Sequence, residues 1–266
     1  MTFVEKIKKI IVDPKKYWKN SKTIMNYFGN FIKKVLFINN IQEWQKNRNQ
    51  IKFYKKYIIK TNKLIFDIGA NVGKKTDLFL RLEYVVIVVE PQSLIVAGLR
   101  KKYQDNPRVI VEECGIGKEE GEAQINISTK YPGFSSFIKE WQKGTKYHSF
   151  EKTEKVKLTT LDKLISKYGL PDFCKIDVED FEHEVLLGLS SKIPMINFEF
   201  HSNNKEQLLW CLSRLQTIGY DSFNFVVDEN SIMSSDIWLT IDELLTKIET
   251  LEKNSKIVIL GDVYAK

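Results

Sequence analysis

Acidic and imidazole side chains at the ends of two apolar runs are the first candidates for chemistry in this chain. Asp177 belongs to the run CKIDVE, and Glu199 and His201 belong to the run NFEFH. If the runs are neighbouring parallel strands, these side chains meet beyond the carboxyl ends of the sheet, where open α/β sheets gather reactive groups. A carboxylate and an imidazole there can act as a base and its orienting partner, or share a divalent metal. The pattern does not require a metal, and we expect none.

Each of these residues also has a plainer interpretation. Asp177 is well placed to cap the helix that follows it. Glu199 could form a buried structural pair with Lys175, and His201 could be an ordinary surface residue. The sequence leaves these alternatives open, because they depend on which strands become neighbours.

A glycine-containing loop follows the first apolar run, in the sequence LIFDIGANVGKKT at 64–76. Such a loop before a helix lets a ligand approach the backbone, with N–H groups at the helix start facing it. Gly69 and Gly73 lie one residue too close together for a phosphate-binding P-loop. A dinucleotide fingerprint also fails, because Asn71 stands where the second glycine must let a pyrophosphate reach the backbone.

The loop instead carries a carboxylate, Asp67, which would repel phosphates but suits a cationic amino-acid group. S-adenosylmethionine has such a group, an ammonium and a sulfonium, and no phosphate. Glu90 ends the second run, VVIVVEP, where an acid can accept hydrogen bonds from an adenosine ribose or can simply be solvated. The two motifs in this order predict an S-adenosylmethionine site, with the adenine near Glu113 and Cys114 at the end of the third run.

Short apolar runs alternate with helical stretches from residue 62 onward. Apolar runs without polar alternation indicate strands covered on both faces, and their alternation with helices indicates an α/β fold with a doubly wound, seven-stranded, mostly parallel sheet. The predicted strands are 64–68, 85–90, 109–112, 173–177, 196–200, 222–227 and 256–260. The predicted helices are 76–82, 93–103, 160–168, 180–189, 204–217 and 240–250.

Two segments depart from this alternation. Residues 123–158 mix glycine, serine, lysine and aromatic residues over a length too great for an ordinary connection, so we expect a lid there. Residues 1–60 show apolar residues at helical spacing among many lysines. We therefore expect a basic helical segment over 1–60 and one α/β domain over 61–266.

The net charge of +7 hides a division along the chain. Residues 1–60 hold 15 basic and three acidic residues, whereas the remainder is acidic overall. A basic amphipathic segment such as 1–38 can lie on an anionic membrane surface, although most such stripes dock on their own protein. The chain has no apolar run long enough to span a membrane, no signal peptide, and three widely spaced cysteines, so we expect a cytoplasmic protein.

Several linked motifs in a fixed order resemble the FkbM-type methyltransferases over residues 62–266. The resemblance implies the class I methyltransferase (Rossmann-like) fold, S-adenosylmethionine as methyl donor, and transfer to a hydroxyl oxygen, often of a sugar or natural product. The motifs are DIGANVG, VVEP, ECGIG, FSSF, LTTLDKLI, KIDVEDFEHEVLLGL and GDVYAK. The positions that match the family's cofactor residues are Asp67, Gly69, Asn71, Gly73 and Glu90.

The resemblance also assigns residues on the acceptor side. Lys175 and Glu179 flank Asp177 in the family's K-I-D-V-E run, which implies a catalytic role for Lys175 and contact with the acceptor for Glu179. Ser135 and Ser136 match the family's serine-containing segment, which implies binding of cofactor or acceptor, unless they only form a turn. Asp180 departs from the family, which usually has Gly there, and this bears on the local backbone shape and on the acceptor.

Methyl transfer to an alcohol needs a base that removes the hydroxyl proton as the new bond forms. Asp177 is the first choice by position, with Glu199 and His201 as the other candidates. Two carboxylates close together would raise one pKa toward the working range.

The sequence alone is compatible with three functions. The leading hypothesis is O-methylation of a sugar, glycan or similar small polyhydroxylated acceptor. The second is 2′-O-methylation of RNA ribose, but the chain has no recognisable RNA-binding module, so we do not expect a nucleic-acid partner. The third is a non-catalytic, Rossmann-type binding subunit.

Overall fold

The computed structural model describes residues 41–128, 135–137, 152–228 and 231–266. The chain divides into two compact units, Met1–Arg48 and Asn49–Lys266. Only residues 41–48 of the first unit are described, and they are helical. The predicted membrane-contact segment 1–38 therefore lies outside the described residues. The second unit begins before the expected boundary at residue 61 and contains every strand given below.

Ten strands are numbered along the described chain. They are β1 (Leu64–Ile68), β2 (Val85–Val89), β3 (Val109–Glu112), β4 (Gly115–Ile116), β5 (Gly121–Ile127), β6 (Lys152–Thr159), β7 (Phe173–Ile176), β8 (Ile196–His201), β9 (Phe223–Val227) and β10 (Leu260–Ala265). Seven of them form one sheet in the order β3-β2-β1-β7-β8-β10-β9. Strand β10 is antiparallel to both of its neighbours, and the other pairs are parallel. The predicted seven-stranded, mostly parallel sheet is confirmed.

Helices connect the strands and cover the sheet. They are α1 (41–57), α2 (Lys74–Arg81), α3 (Ser93–Tyr103), α4 (Leu161–Tyr168), α5 (Glu182–Leu187), α6 (Lys205–Ile218) and α7 (Ile241–Ser255). Threonine side chains cap two of them: Thr160 accepts from the Lys163 N–H, and Thr240 forms a capping box with Glu243. No helix within the described ranges is both long and apolar enough to cross a membrane.

The core lies on both faces of the large sheet. Successive side chains of a strand point to opposite faces, so Cys174 packs into one apolar cluster and Phe173 into the other. The first cluster includes residues of α4 to α7, and the second includes residues of α1, α2 and α3. On the second face, the Tyr54 ring lies 5.7 Å from the Phe173 ring. Burial on both faces explains why the strands read as continuous apolar runs.

The predicted strand 256–260 is wrong. Lys256 instead ends α7 in the left-handed conformation, and Ile257 is largely exposed. Strand β10 begins at Leu260 and runs through Gly261, a residue that reads as a strand end in the sequence. A Cβ at Gly261 would lie 2.0 Å from the Val226 carbonyl oxygen, so glycine permits the close pairing of β10 with β9.

A second, smaller sheet was not anticipated from the sequence. Its strand order is β4-β6-β5, with β5 and β6 antiparallel. Strands β5 and β6 contain both ends of the candidate lid at 123–158. Within that segment, residues 129–134 and 138–151 lie outside the described residues. The short described piece 135–137 is held to β5 by an antiparallel bridge between Ser136 and Asn126.

Candidate active site

The loop after β1 is fixed by left-handed residues. Gly69, Asn71 and Gly73 have φ angles of 73°, 48° and 75°. Glycine adopts this conformation freely and asparagine tolerates it. A Cβ at Gly69 would lie 1.8 Å from the Asp177 carbonyl oxygen, so glycine allows the β1 loop to touch the end of β7. Gly73 sits at the start of α2, where it packs on the Tyr103 side chain.

Asp67 is fully buried at the end of β1. Its Oδ2 accepts a hydrogen bond from Thr76 Oγ1 at 2.6 Å, which ties the strand to the first turn of α2. Its Oδ1 has no partner among the described residues. Burial raises the pKa of this carboxyl group. The side chain does not line the cavity described below, so the structure does not show the direct ligand contact that the sequence suggested for Asp67.

Glu90 follows β2 and is only 3% exposed. Its Oε2 accepts from the Asn71 N–H at 3.0 Å, and its Oε1 accepts from the Gln92 N–H at 3.0 Å and from Gln92 Nε2 at 3.2 Å. Burial raises the pKa of Glu90 to about 7. A carboxylate has about four lone-pair positions, so one position, on Oε2, is left for a ligand. A second ligand hydroxyl at Oε1 would have to displace the Gln92 side chain.

A cavity of about 180 Å³ opens at the carboxyl ends of β1, β2 and β7. It brings together residues that are far apart in sequence. No lysine, arginine or histidine is among the described residues that line it. Its polar wall thus suits a ligand that is cationic and carries no phosphate. Residues predicted for the site that line it are Gly69, Asn71, Glu90, Cys114, Ser135, Asp177 and Glu179.

Lys175 and Asp177 form an ion pair at the end of β7. Lys175 Nζ donates to Asp177 Oδ2 at 2.7 Å, and Lys175 is only 3% exposed. Burial lowers the pKa of Lys175, but the carboxylates of Asp177, Asp67 and Asp262 outweigh burial and raise it. Lys175 therefore remains an ammonium group. The alternative pairing of Lys175 with Glu199 is not found.

Residues Glu179 and Asp180 form a turn in which both have left-handed backbones, with φ angles of 54° and 71°. Ser136 Oγ donates to the Glu179 carbonyl oxygen at 2.6 Å, and Asn204 Nδ2 donates to Asp180 Oδ1 at 3.3 Å. Glycine adopts this conformation most easily. Asp180 thus keeps the backbone shape that a glycine would favour and adds a carboxylate beside the site.

Three carboxyl groups converge beside the cavity. Oxygen atoms of Asp177, Glu179 and Glu199 lie within 4.8 Å of one another, close enough to share a cation. Burial, together with Glu199 and Asp177, raises the pKa of Glu179 to about 10. Burial also raises the pKa of Glu199. The Glu199 carboxylate, 3.8 Å from His201 Nε2, raises the pKa of that imidazole.

Other predicted residues lie to the side of the cavity. Glu199 and His201 line a small adjacent pocket instead. Glu113 pairs with Arg100 at 2.7 Å and faces a separate groove, so the structure does not show it in the cofactor cavity. Cys114 lines the cavity, and burial raises the pKa of its thiol to about 12. The thiol is therefore not an ionised nucleophile near neutral pH.

Two predicted site residues, Asp67 and Lys175, belong to a row of buried polar side chains on one face of the sheet, and the other three members of the row were not predicted. Hydrogen-bonded strands place them side by side in register. A polar residue inside an apolar run was the available signal, but only the register shows that they adjoin. They are Asp67 of β1, Lys175 of β7, Asn197 of β8, Tyr264 of β10 and Asn224 of β9, all buried.

Two further polar residues near this row were also missed. Asp262 of β10 is paired in register with Glu199 and accepts a hydrogen bond from Asn197 Nδ2 at 3.2 Å. Burial raises the pKa of Asp262 to about 6. Gln92 connects Glu90 to Ser135, whose Oγ donates to Gln92 Oε1 at 3.0 Å. Nothing local in the sequence distinguishes Gln92 from an ordinary polar residue after a strand.

The strand order, the single antiparallel strand and the cavity at the carboxyl edge define the class I, Rossmann-like methyltransferase fold. The model of the methyltransferase FkbM domain matches residues 67–230. The chain therefore belongs to the FkbM methyltransferase domain family. No curated protein matches the chain.

Solved structures with similar backbones share little sequence with this chain. A precorrin-6y C5,15-methyltransferase from Geobacter metallireducens is 10% identical at a TM-score of 0.41, covering 81% of this chain and 87% of its own. A putative hemolysin from Lactococcus lactis is 12% identical in sequence, with a TM-score of 0.39; the match covers 80% of this chain and 83% of the hemolysin. A TehB-like methyltransferase from Corynebacterium glutamicum is 10% identical in sequence, with a TM-score of 0.38; the match covers 85% of this chain and 95% of the methyltransferase. The strand order of the chain itself defines its fold.

Proposed function

We propose that this protein transfers the methyl group of S-adenosylmethionine to a hydroxyl oxygen of a sugar, glycan or similar small polyhydroxylated acceptor. One observation carries the proposal. Gly69 and Glu90, expected to bind the cofactor, line the same cavity as Asp177 and Glu179, expected to act on the acceptor. The residues expected at the donor and acceptor sites thus adjoin, which supports a direct transfer.

The described walls of the cavity fit S-adenosylmethionine in charge. They include the carboxyl groups of Glu90, Asp177 and Glu179 and no described cationic side chain. When bound, S-adenosylmethionine supplies an electrophilic methyl group on a sulfonium. Glu90 Oε2 would accept a ribose hydroxyl, and Oε1 would accept the second once the Gln92 side chain turns away.

Asp177 is the base in this proposal. Lys175 holds Asp177 Oδ2 at 2.7 Å, while Oδ1 has no hydrogen-bond partner among the described residues. Oδ1 would accept the proton of the acceptor hydroxyl as the new C–O bond forms. The hydrogen bond from the Lys175 ammonium group fixes the orientation of the carboxylate.

Glu179 and Glu199 would orient the acceptor. Carboxyl groups accept hydrogen bonds from hydroxyls, and a polyhydroxylated molecule offers several close together. No described cationic side chain lines the cavity to pair with a phosphate, so nothing in the described site favours the RNA alternative. A steep fall of RNA affinity with salt would be needed to revive it.

The test has two stages. Calorimetry with S-adenosylmethionine should show binding that Glu90→Ala weakens; absence of binding, or no effect of Glu90→Ala, contradicts the proposal.

The protein is then incubated with methyl-labelled S-adenosylmethionine and separate host fractions of glycans, lipids and RNA. Label in the glycan fraction supports O-methylation of a sugar if it survives mild base, because a methyl ether is stable to mild base and a methyl ester is not. Label confined to RNA or lipid contradicts the proposed acceptor.

A further inference from the structure

Residues 135–137 form a strap that contacts both sides of the cavity. At one end, Ser135 Oγ donates to Gln92 Oε1 at 3.0 Å, and Gln92 in turn donates to Glu90. At the other end, Ser136 Oγ donates to the Glu179 carbonyl oxygen at 2.6 Å. One short peptide therefore connects the expected cofactor acid with the turn beside the expected base.

The strap is held firmly at its middle. Ser136 and Asn126 exchange both backbone hydrogen bonds, at 2.9 and 3.1 Å, and Asn126 Nδ2 also donates to the Ser136 carbonyl oxygen at 3.0 Å. The Ser128 N–H donates to Ser135 Oγ at 3.1 Å. Ser135 and Ser136 are both buried, so neither hydroxyl is open to solvent. Strand β5 thus fixes the strap independently of the two sites that it joins.

A ring contact accompanies the hydrogen bond to the Glu179 turn. The rings of Phe137 and Phe181 lie 4.8 Å apart, and Phe137 also packs closely beside Gly115 of β4. The turn itself needs support, because a non-glycine residue in the left-handed region costs on the order of 1 kcal/mol and this turn has two in succession. Removing the Ser136 hydroxyl would leave the Glu179 carbonyl oxygen without this donor.

We propose, building on the proposed function, that Ser136 is a positioning residue that holds the Glu179 turn against the cavity. The contact between Gln92 and Ser135 makes the position of this turn depend on whether the cofactor is bound. The cofactor site and the strap are linked through Glu90. Its Oε1 is occupied by Gln92 Nε2, so a ribose hydroxyl at Oε1 displaces the side chain that Ser135 contacts. Cofactor binding is thereby coupled to the acceptor side through the strap.

Hydrogen exchange measured by mass spectrometry on the full chain tests this without an acceptor. The reporter is a peptide that covers 177–185 and begins at least two residues earlier, so that it retains label on two amides: the Asp177 N–H, which donates to the Ile68 carbonyl, and the Val178 N–H, which donates to Glu182 Oε1. The probe is S-adenosylhomocysteine, with its binding checked by calorimetry. In the wild type we expect the probe to slow exchange of this peptide at least threefold.

Two variants separate positioning from coupling. Ser136→Ala should speed exchange over 177–185 about fivefold without ligand, the usual effect of one buried hydrogen bond. Ser135→Ala should leave the ligand-free rate unchanged but remove the response to S-adenosylhomocysteine. Ser213→Ala, at an exposed position of α6, serves as the control and should behave as the wild type.

Each result decides one part of the proposal. An unchanged ligand-free rate in Ser136→Ala overturns the positioning role. A full response to ligand in Ser135→Ala overturns the coupling, because the ligand would then act by direct contact. If S-adenosylhomocysteine does not bind the wild type, the proposed function and the coupling both fail, while the ligand-free rates still decide the positioning role.

Discussion

Lys175, almost wholly buried, donates to Asp177 across 2.7 Å, and Asp177 lies at the cavity edge. The pair points a fixed carboxylate toward solvent from an ammonium group inside the protein. Around that ammonium group lie two further carboxyl groups, the buried Asp67 and the half-buried Asp262, which interact with its charge. The pair thus joins the buried polar row of the sheet to the proposed transfer site.

Replacing the proposed base should abolish transfer but not cofactor binding. Asp177→Asn keeps the shape of the side chain and loses the ability to take a proton, so we expect turnover to fall by at least a hundredfold. Affinity for S-adenosylmethionine should stay within a fewfold, measured by calorimetry. Asp105→Asn, at an exposed loop position, is the control. Unchanged label transfer in Asp177→Asn would reject Asp177 as the base.

Cofactor affinity should depend on the ionisation of Glu90. Its pKa is raised to about 7, and ribose hydroxyls donate best to the ionised form. Affinity for S-adenosylhomocysteine should therefore fall by up to about tenfold per pH unit below pH 7. Glu90→Gln should bind weakly with a flat pH profile, and the exposed Glu119→Gln should keep the wild-type profile. A sloping profile in Glu90→Gln would show that another group is responsible.

Loss of the buried ammonium group should destabilise the protein. Lys175→Met leaves Asp67, Asp177 and Asp262 without their shared cation. Because the Asp177 side chain is 39% exposed, the cost should be at most the roughly 3–5 kcal/mol of removing one partner of a fully buried pair. The cost should be larger at pH 8 than at pH 5, because Asp262 binds a proton at the lower pH. Urea denaturation measures both values.

An exposed ion pair provides the control for that experiment. Lys205 lies 3.3 Å from Glu249, and both side chains are about half exposed. Lys205→Met should cost no more than about 1 kcal/mol. If Lys175→Met costs equally little, the buried ammonium group does not hold the carboxyl groups together.

Asp262 should make the protein less stable as pH rises. Its folded pKa of about 6 lies above the value of an unfolded aspartate, so the folded state holds the proton more tightly. Stability is highest below the unfolded pKa and falls by up to about 3 kcal/mol as pH rises through the folded pKa. In Asp262→Asn this contribution to the fall should disappear, as measured by urea denaturation from pH 4 to 8. Parallel curves for the two proteins would contradict the assignment.

The left-handed backbone of Asp180 predicts different effects for two small substitutions. Both lose the hydrogen bond from Asn204 Nδ2, but only glycine adopts a φ of 71° without strain. Asp180→Gly should therefore be more stable than Asp180→Ala by about 1 kcal/mol. Thermal unfolding checks both. Asp228, exposed and with a φ of 52°, offers a matched site at which the same order should hold.

Local patterns predicted most of the fold because strands that are covered on both faces consist mainly of apolar residues. This pattern predicted the runs that became β1, β2, β7, β8 and β9, and also the less buried strand β3 at the sheet edge. Strand β10 was predicted at the wrong place, because Gly261 and Asp262 break the apolar pattern inside the strand. Pairing with β8 and β9 overrides the weak local signal there, and a sequence window does not contain those partners.

The sequence by itself determined the class of the sheet, the glycine loop after β1 and the acids at the ends of β2 and β7, because each depends on neighbours along the chain. Only the tertiary structure decided which groups meet. It paired Lys175 with Asp177 rather than Glu199, placed Glu113 on Arg100, and connected Glu90 through Gln92 to Ser135. Lys175 and Asp177 are only two residues apart, but which carboxylate Lys175 reaches depends on the register of β7 with β8. The contact of Ser135 with Gln92 joins residues that are 43 positions apart, which no local pattern contains.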